Sequence, residues 1–504
     1  MKKIIYAFMC ISSVMMAQNN IEKTGSDVNK KGVPHFKAII GSDQNSFYTL
    51  RVDPGVFKST YRVEQFSKAD LNSTKEVANI TFKKYTEYHF SHLVKDKIYF
   101  FTKQYNTDDK KCELTLDEFA ANAVNTESKN RILITLDTDN SKWYQTMFQY
   151  AFSPDGSKIA VIATYIKDVT LYVYDAYTMR ELSTKKMSQG SVDNNMIFNY
   201  ELDNDGNLLF SYYAANAFKV VKQFTGAEKN LTATLKKNPA YTYHSLKFYS
   251  DVQNNHVYLY GMFYEMSKIG KLEGYTNGGF YICRIDPKTM AVVSEKHIAF
   301  STEIQDRIKC NKPDGFLGNY TPSLKIVNGS EILLDACSTG GGSNSRGTGT
   351  GAYDMSQKVY YNVGEIVVAK LSTALEVSWM KFIPRSIVYT NIMNDTESTI
   401  EFTRLVSKDG LKYIFIEHPK FELKNINYST CTACDVPNIS TYPNTNVVEY
   451  SLDLNGKLNK RIIYVNKDDN WMIPTLNNFD LGENKYLVRF RKKKQENFGI
   501  INLK

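Results

Sequence analysis

The sequence predicts an all-β fold, a single β-propeller, with eight blades favoured and seven the runner-up. Three observations predict it. Short apolar strands recur along 504 residues, in units opened by eight hairpin turns, four of them Asp-Gly or Asn-Gly. The turns fall roughly 50 to 80 residues apart, the spacing of a repeat array. No long 3.6-residue periodicity competes with the strand pattern. A chain of this length rarely folds around one ordinary core, and a radial array of small sheets avoids long open edges.

The clearest unit is Ser153-Pro154-Asp155-Gly156, between apolar runs at Met147 to Phe152 and Lys158 to Tyr165. Proline pre-sets its own φ and glycine accepts the positive one, so the tip is a turn on physical grounds. Val169 to Tyr174 supplies a third strand. Similar turns are expected near Ser42-Asp43, Lys95-Asp96, Asp205-Gly206, Asn254-Asn255, Asn328-Gly329, Asp409-Gly410 and Leu481-Gly482. The last unit shows three strands and needs one from the N-terminal segment to close the ring. The run Phe152-Ser153-Pro154-Asp155-Gly156-Ser157-Lys158-Ile159-Ala160 resembles the repeat of WD40-like and TolB-type propellers of the bacterial envelope. The close match covers one unit. It implies the architecture and an envelope or secreted location, and it implies no activity.

Residues 1–17 read as an export signal. Lys2 and Lys3 give the positive end, Ile4 to Met16 the apolar run, and Ala17-Gln18 the small-residue cleavage point. That run is too short to span a bilayer, which needs about 20 residues, and no other transmembrane candidate follows. Residues 18–34 are polar and read as a disordered linker. The propeller domain is placed at 35–504. The location is therefore exported: periplasm, cell surface or secreted.

Charge is +9 and interspersed. The basic run Arg489 to Lys494 reads as a solvated edge strand rather than a nucleic-acid contact. Partners are expected to be an envelope or extracellular protein or a glycan, with no nucleic acid.

Function is expected where loops leave a rigid scaffold. The links from second to third strand are long in the fifth, sixth and seventh units: Glu265 to Gly279, Ser338 to Val363 and Pro419 to Asn446. They thicken one side of one face. The sixth carries repeated glycine around Arg346 and Tyr353, the best ligand contacts within it. His418, at the foot of the seventh link, has the best position of the seven histidines. The glycine-rich stretch lacks the helix and the Lys-Ser/Thr ending of a phosphate loop.

Six cysteines follow the signal. Cys283 reads as a buried thiol. Cys431–Cys434 is expected as a tight local bridge and Cys310–Cys337 as a second. A four-thiolate zinc site from these residues is disfavoured, because no second Cys-x-x-Cys is present. No metal and no cofactor are expected. Asp203-Asn204-Asp205-Gly206-Asn207 is oxygen-rich like a calcium loop, but it sits where the repeat needs a turn. His89 and His92, three apart on a strand, are expected on opposite faces. No nucleophile elbow and no His-Glu-x-x-His occurs. The leading reading is a non-catalytic exported propeller that binds through the long loops of blades five to seven. The alternative is a propeller hydrolase or lyase acting on glycan or peptide at the central channel.

Overall fold

Every blade begins from the hairpin the sequence announces. In a computed structural model, Ser153 accepts from Gly156 N (2.8 Å), and Ser153 N donates to Lys158 O (3.0 Å). Gly156 takes φ +68°, the left-handed value that glycine adopts without a Cβ penalty. The Asp155 carboxylate receives the Ser153 hydroxyl (2.6 Å) and Ser157 N (2.9 Å). Strands Thr146–Phe152, Lys158–Tyr165, Asp168–Asp175 and Glu181–Met187 then pair in sequence order, all antiparallel.

The structure describes residues 21–24, 28–29, 35–54, 59–82, 85–122, 128–138, 145–166, 168–187, 199–214, 217–223, 230–269, 272–309, 319–343, 358–392, 402–437, 444–466, 471–473, 479–480, 485–492 and 495–502. The chain divides into two compact units. One, Asn29–Lys237 with Pro287–Ala291, holds blades one to four. These start at His35–Ser42, Thr86–Val94, Thr146–Phe152 and Asn199–Leu202. The other holds blades five to seven, which start at Tyr241–Asp251, Asn319–Val327 and Thr403–Ser407.

The fold is a β-propeller, and the favoured count of eight blades is corrected to seven. Seven sheets are meanders of four consecutive strands. The remaining sheet is built otherwise. After Val465 the described chain supplies two full-length strands, Lys485–Lys492 and Gln495–Asn502. The short pieces Trp471–Ile473 and Phe479–Asp480 both pair with the first of these. Ile21–Thr24 and Val28–Asn29 pair with the second. Those two segments fall inside the stretch expected to be a linker. The eighth turn, near Leu481-Gly482, lies outside the described residues, as do residues 1–17.

Apolar side chains pack between neighbouring sheets. Phe101, Leu114 and Phe148 join blades two and three; Leu171, Leu202 and Phe210 join three and four. Tyr260, Phe280, Leu324 and Val367 join five and six; Cys337, Ile366, Tyr413 and Val448 join six and seven. Full burial of one such side chain is worth about 1.5–3 kcal/mol. The turn ends also latch polar group to polar group. Asn254 Nδ2 donates to Gly329 O (2.7 Å), and Asn328 Nδ2 to Lys408 O (3.3 Å). In the four-blade unit Asn204 Oδ1 accepts from Asp155 N (3.1 Å). Gly410, at the turn of blade seven, has φ +141°, and a Cβ there would stand 2.0 Å from Leu452 O. No described helix is long and apolar enough to cross a membrane.

Candidate functional site

Two of the three expected loops are strands. In blade five the second and third strands run on as His256–Ile269 and Leu272–Ile285, paired from Val257↔Ile285 out to Ile269↔Leu272. In blade six, Glu331–Ser343 and Lys358–Leu371 lengthen the same way. A fifth strand, Ile387–Ile392, pairs with the outer part of the latter. The sequence reading stopped these strands too early, because Gly340, Gly341 and Gly342 looked like loop. They are paired with Tyr361, Asn362 and their neighbours. Arg346 and Tyr353 lie outside the described residues.

The third excursion, between the second and third strands of blade seven, does leave the sheet and packs on itself. A short helix, Lys420–Leu423, buries Phe421, which contacts Cys431 and Val436. His418 Nδ1 accepts from Lys420 N (3.0 Å), so the ring caps the entry to this helix. Its proximity to Lys420, together with desolvation as the larger cause, lowers the imidazole below its ordinary value. Beyond the helix, the Asp435 carboxylate accepts Thr432 N (2.8 Å) and the Thr432 hydroxyl (2.8 Å), a reciprocal cap over the turn Ala433–Asp435. These hydrogen bonds hold the Asp435 carboxyl below the usual range. A polar cleft of about 560 Å³ opens on this excursion, lined by Lys424, Asn427, Thr430, Cys431, Cys434 and Asp435.

Two buried cations fasten the excursion. Arg307 belongs to helix α1, Thr302–Lys309, in the link between blades five and six. It donates to Cys431 O (2.8 Å) and Tyr428 O (3.1 Å), and its guanidinium lies 4.2 Å from the centre of the Phe382 ring. Lys460 Nζ meets Glu417 Oε2 and Glu422 Oε1, both at 2.5 Å, and sits 4.0 Å over Phe421. Tyr450 also donates to Glu417 (2.9 Å). Burial raises the Glu417 carboxyl, while Lys460 pulls it back.

Further buried polar groups lie in blades six and seven. Asp335 accepts from Arg404 and from the Tyr413 hydroxyl (3.0 Å). Burial pushes this carboxyl up against the pull of Arg404. Glu365, also raised by burial, accepts from the Tyr320 hydroxyl. Arg385 Nη1 donates to Cys337 Sγ (3.4 Å), and burial pushes that thiol up to about 11. Sequence reasoning missed these pairs, because their members stand 69 and 45 positions apart. A signal was present: Asp335, Glu365 and Glu417 each interrupt or border an apolar run.

Both expected disulfides are corrected. Cys431 is a free thiol, turned inward against Phe421 and Val436, while the capped turn carries Cys434 to the exposed side. Cys337 is likewise free, 3% exposed inside blade six beneath Arg385. Cys310 lies outside the described residues. Cys283 is a buried free thiol.

Asp203–Asn207 closes as a hairpin: Gly206 N donates to Asp203 O (3.0 Å), and the Asp203 carboxylate takes Asn207 N (2.7 Å). Among the described residues no group of three or more His, Cys, Asp or Glu is arranged to hold a metal ion. The opposite-face argument for His89 and His92 is undone by a bulge between Tyr88 and Phe90. Both rings pack on the first strand of blade three, His89 on Phe148 and Tyr150, His92 on Phe152. Burial lowers both imidazoles.

No protein-family model matches this chain, and no curated protein matches it. Several solved structures are similar in fold. A protein of Listeria monocytogenes EGD-e, lmo1340, is 10% identical over 93% of this chain and 94% of that one, with a TM-score of 0.33. TolB from Acinetobacter baumannii is 11% identical over 64% of this chain and 60% of that one, TM-score 0.26. The β-propeller domain of the Trilobed protease from Pyrococcus furiosus is 13% identical over 83% of this chain and 94% of that one, TM-score 0.34. At such identities the likeness concerns fold alone.

Proposed function

We propose that this chain is an exported, non-catalytic β-propeller that binds a protein or glycan of the envelope or extracellular space through the excursion of blade seven and its neighbours. One observation carries the reading. Over its described residues 418–437 the excursion is folded and doubly fastened by Arg307 and Lys460, yet it keeps a polar cleft with a cation, an anion, an amide and a hydroxyl in its wall. A pre-formed polar cleft on a rigid sheet is what hydrogen-bonded recognition needs, because little ordering cost remains at binding. The buried carboxyls nearby are tied to structural partners: Glu417 to Lys460 and Tyr450, Asp335 to Arg404 and Tyr413, Glu365 to Tyr320. A general acid or base must instead face its substrate. Export is supported by the Lys2-Lys3 and Ile4 to Met16 pattern.

The test is capture from an envelope extract, followed by rebinding of each captured species in purified form and by a glycan array. The bait is wild type and a triple variant, Lys424→Ala, Asn427→Ala, Thr430→Ala. Loss of about tenfold or more in affinity supports the cleft, since two or three hydrogen bonds are removed. Unchanged affinity overturns it.

A further inference from the structure

The first strands of blades five, six and seven, Tyr241–Asp251, Asn319–Val327 and Thr403–Ser407, converge on one polar node. Lys247 Nζ of blade five donates to Pro322 O of blade six (3.0 Å). The next residue, Ser323, stands opposite Asp335 in the register of blade six, so the two share a face of that sheet. Arg404 of blade seven donates to the same Asp335, which also accepts from the Tyr413 hydroxyl (3.0 Å). Lys247 lies close enough to feel both charges. Desolvation chiefly, and then Arg404, lower its ammonium below the ordinary lysine value, while Asp335 pulls it back.

The node differs from a closed ion pair. Two cations, Lys247 and Arg404, face one carboxylate, Asp335, which leaves a surplus of 2 − 1 = +1. Deeper in, Arg385 and Glu365 act on Cys337 with opposite signs and leave that surplus unchanged. Donors are also left over. Arg404 Nε is buried without a hydrogen-bond partner, and Lys247 gives one of its three N–H groups to a described acceptor. The backbone is bent to present this lysine: Ser245 takes φ +52°, and the register slips between His244 and Lys247. A bulge of this kind re-aims the side chain that follows it. Lys247 and Ser323 each keep part of their surface in solvent, and 21% of the Arg404 side chain is exposed.

We propose that Lys247 and Arg404 bind the carboxylate of a small, singly charged ligand, beside the Ser323 hydroxyl. One carboxylate cancels the surplus charge, whereas a phosphate dianion overshoots it next to Asp335. The planar fork of arginine matches a carboxylate, and lysine closes on it as a point charge. Asp335, held by Tyr413, is the positioning group that fixes the fork. The site shares no residue with the cleft of the blade seven excursion, so either can fail without the other.

The test is calorimetric titration of the purified full chain with glucuronate and with N-acetylglycine, one an acidic sugar and the other a peptide end. Glucose and N-acetylglycinamide are the neutral controls, and inorganic phosphate is the dianion. At least one carboxylate is expected to bind, and which one does so identifies the source. Lys247→Gln should weaken that binding about tenfold or more. Lys408→Gln, at an exposed lysine beside the turn of blade seven, should change nothing. Wild type gives a second readout that needs no variant: the bound carboxylate should protect Lys247 from reductive methylation, read by peptide mapping. No binding by either carboxylate, equal binding by a neutral control, tighter binding of phosphate, unchanged affinity in Lys247→Gln, an equal loss in Lys408→Gln, or an unprotected Lys247 would each overturn the proposal.

Discussion

The turn end of the four-blade unit and the excursion end of the three-blade unit handle their carboxyls in opposite ways. At the turns, Asp43, Asp155 and Asp175 stay near solvent and accept backbone and hydroxyl hydrogen bonds, and all three titrate below the usual range. In the three-blade unit, Glu365 and Glu417 are withdrawn from water, and burial drives both upward. The first arrangement is local: Asp155 bonds residues two positions away. The second is long-range: Lys460 reaches Glu417 across 43 positions and Arg307 reaches Cys431 across 124. A repeat can copy the first arrangement from its own sequence. The second has to be assembled by the fold, and such groups concentrate where a surface is specialised.

Five substitutions sharpen this contrast. The largest effect is expected from Lys460→Ala, which leaves Glu417 buried without its cation and should cost about 3–5 kcal/mol in urea unfolding. The matching turn-end change, Lys222→Ala, removes a pair at 3.1 Å with Asp203 and should cost below ~1 kcal/mol. Similar costs for the two would break the distinction.

Phe421→Ala comes next. The ring is 1% exposed at the centre of the small cluster that holds the excursion. The expected loss is about 3 kcal/mol, read as local opening by hydrogen exchange across 420–436. Equal loss of protection in the blade strands would show instead that the excursion and the sheets unfold together.

Titration gives the third. A carboxyl raised in the folded state favours folding below its ordinary pKa, and that contribution is lost as pH rises through the raised value. Glu365→Gln should therefore remove part of the decline in stability above the ordinary carboxylate range. A steeper decline would contradict the buried assignment.

Asp155 runs the other way and is the smallest. Its carboxyl is held at about 2, first by the Ser153 hydroxyl and then by Ser157 N. Its contribution is present above the ordinary aspartate value and fades as pH falls toward about 2. Because the group is exposed, Asp155→Asn should cost below ~1 kcal/mol at neutral pH, and less as pH falls through about 2.

The two regions also differ in how far the sequence reveals them. The turn at Ser153 to Gly156 was legible because proline, aspartate and glycine fix its backbone whatever surrounds it. The hairpin extension at Gly340 to Gly342 was not, since glycine carries no strand signal of its own and the pairing is supplied by Tyr360 to Asn362. The seven-blade count turned on similar ground. The apolar pattern after Val465 resembles another unit, but its described residues provide too few full-length strands for a further meander, and Ile21–Thr24 pairs with that sheet from far away in sequence. Cys431 and Cys434 look paired from their spacing. Only the Thr432–Asp435 cap, which turns one inward and the other outward, shows why they are not. The whole excursion was legible as a long link, while its two fasteners were not, because Arg307 and Lys460 carry no local mark of their partners.

The most direct measurement is the affinity of one purified partner for three proteins: wild type, the cleft variant Lys424→Ala, Asn427→Ala, Thr430→Ala, and a turn-end control, Asp155→Asn. The account predicts that the cleft variant binds about tenfold more weakly or worse while the control matches wild type. Equal binding by all three, or a loss confined to the control, would contradict it.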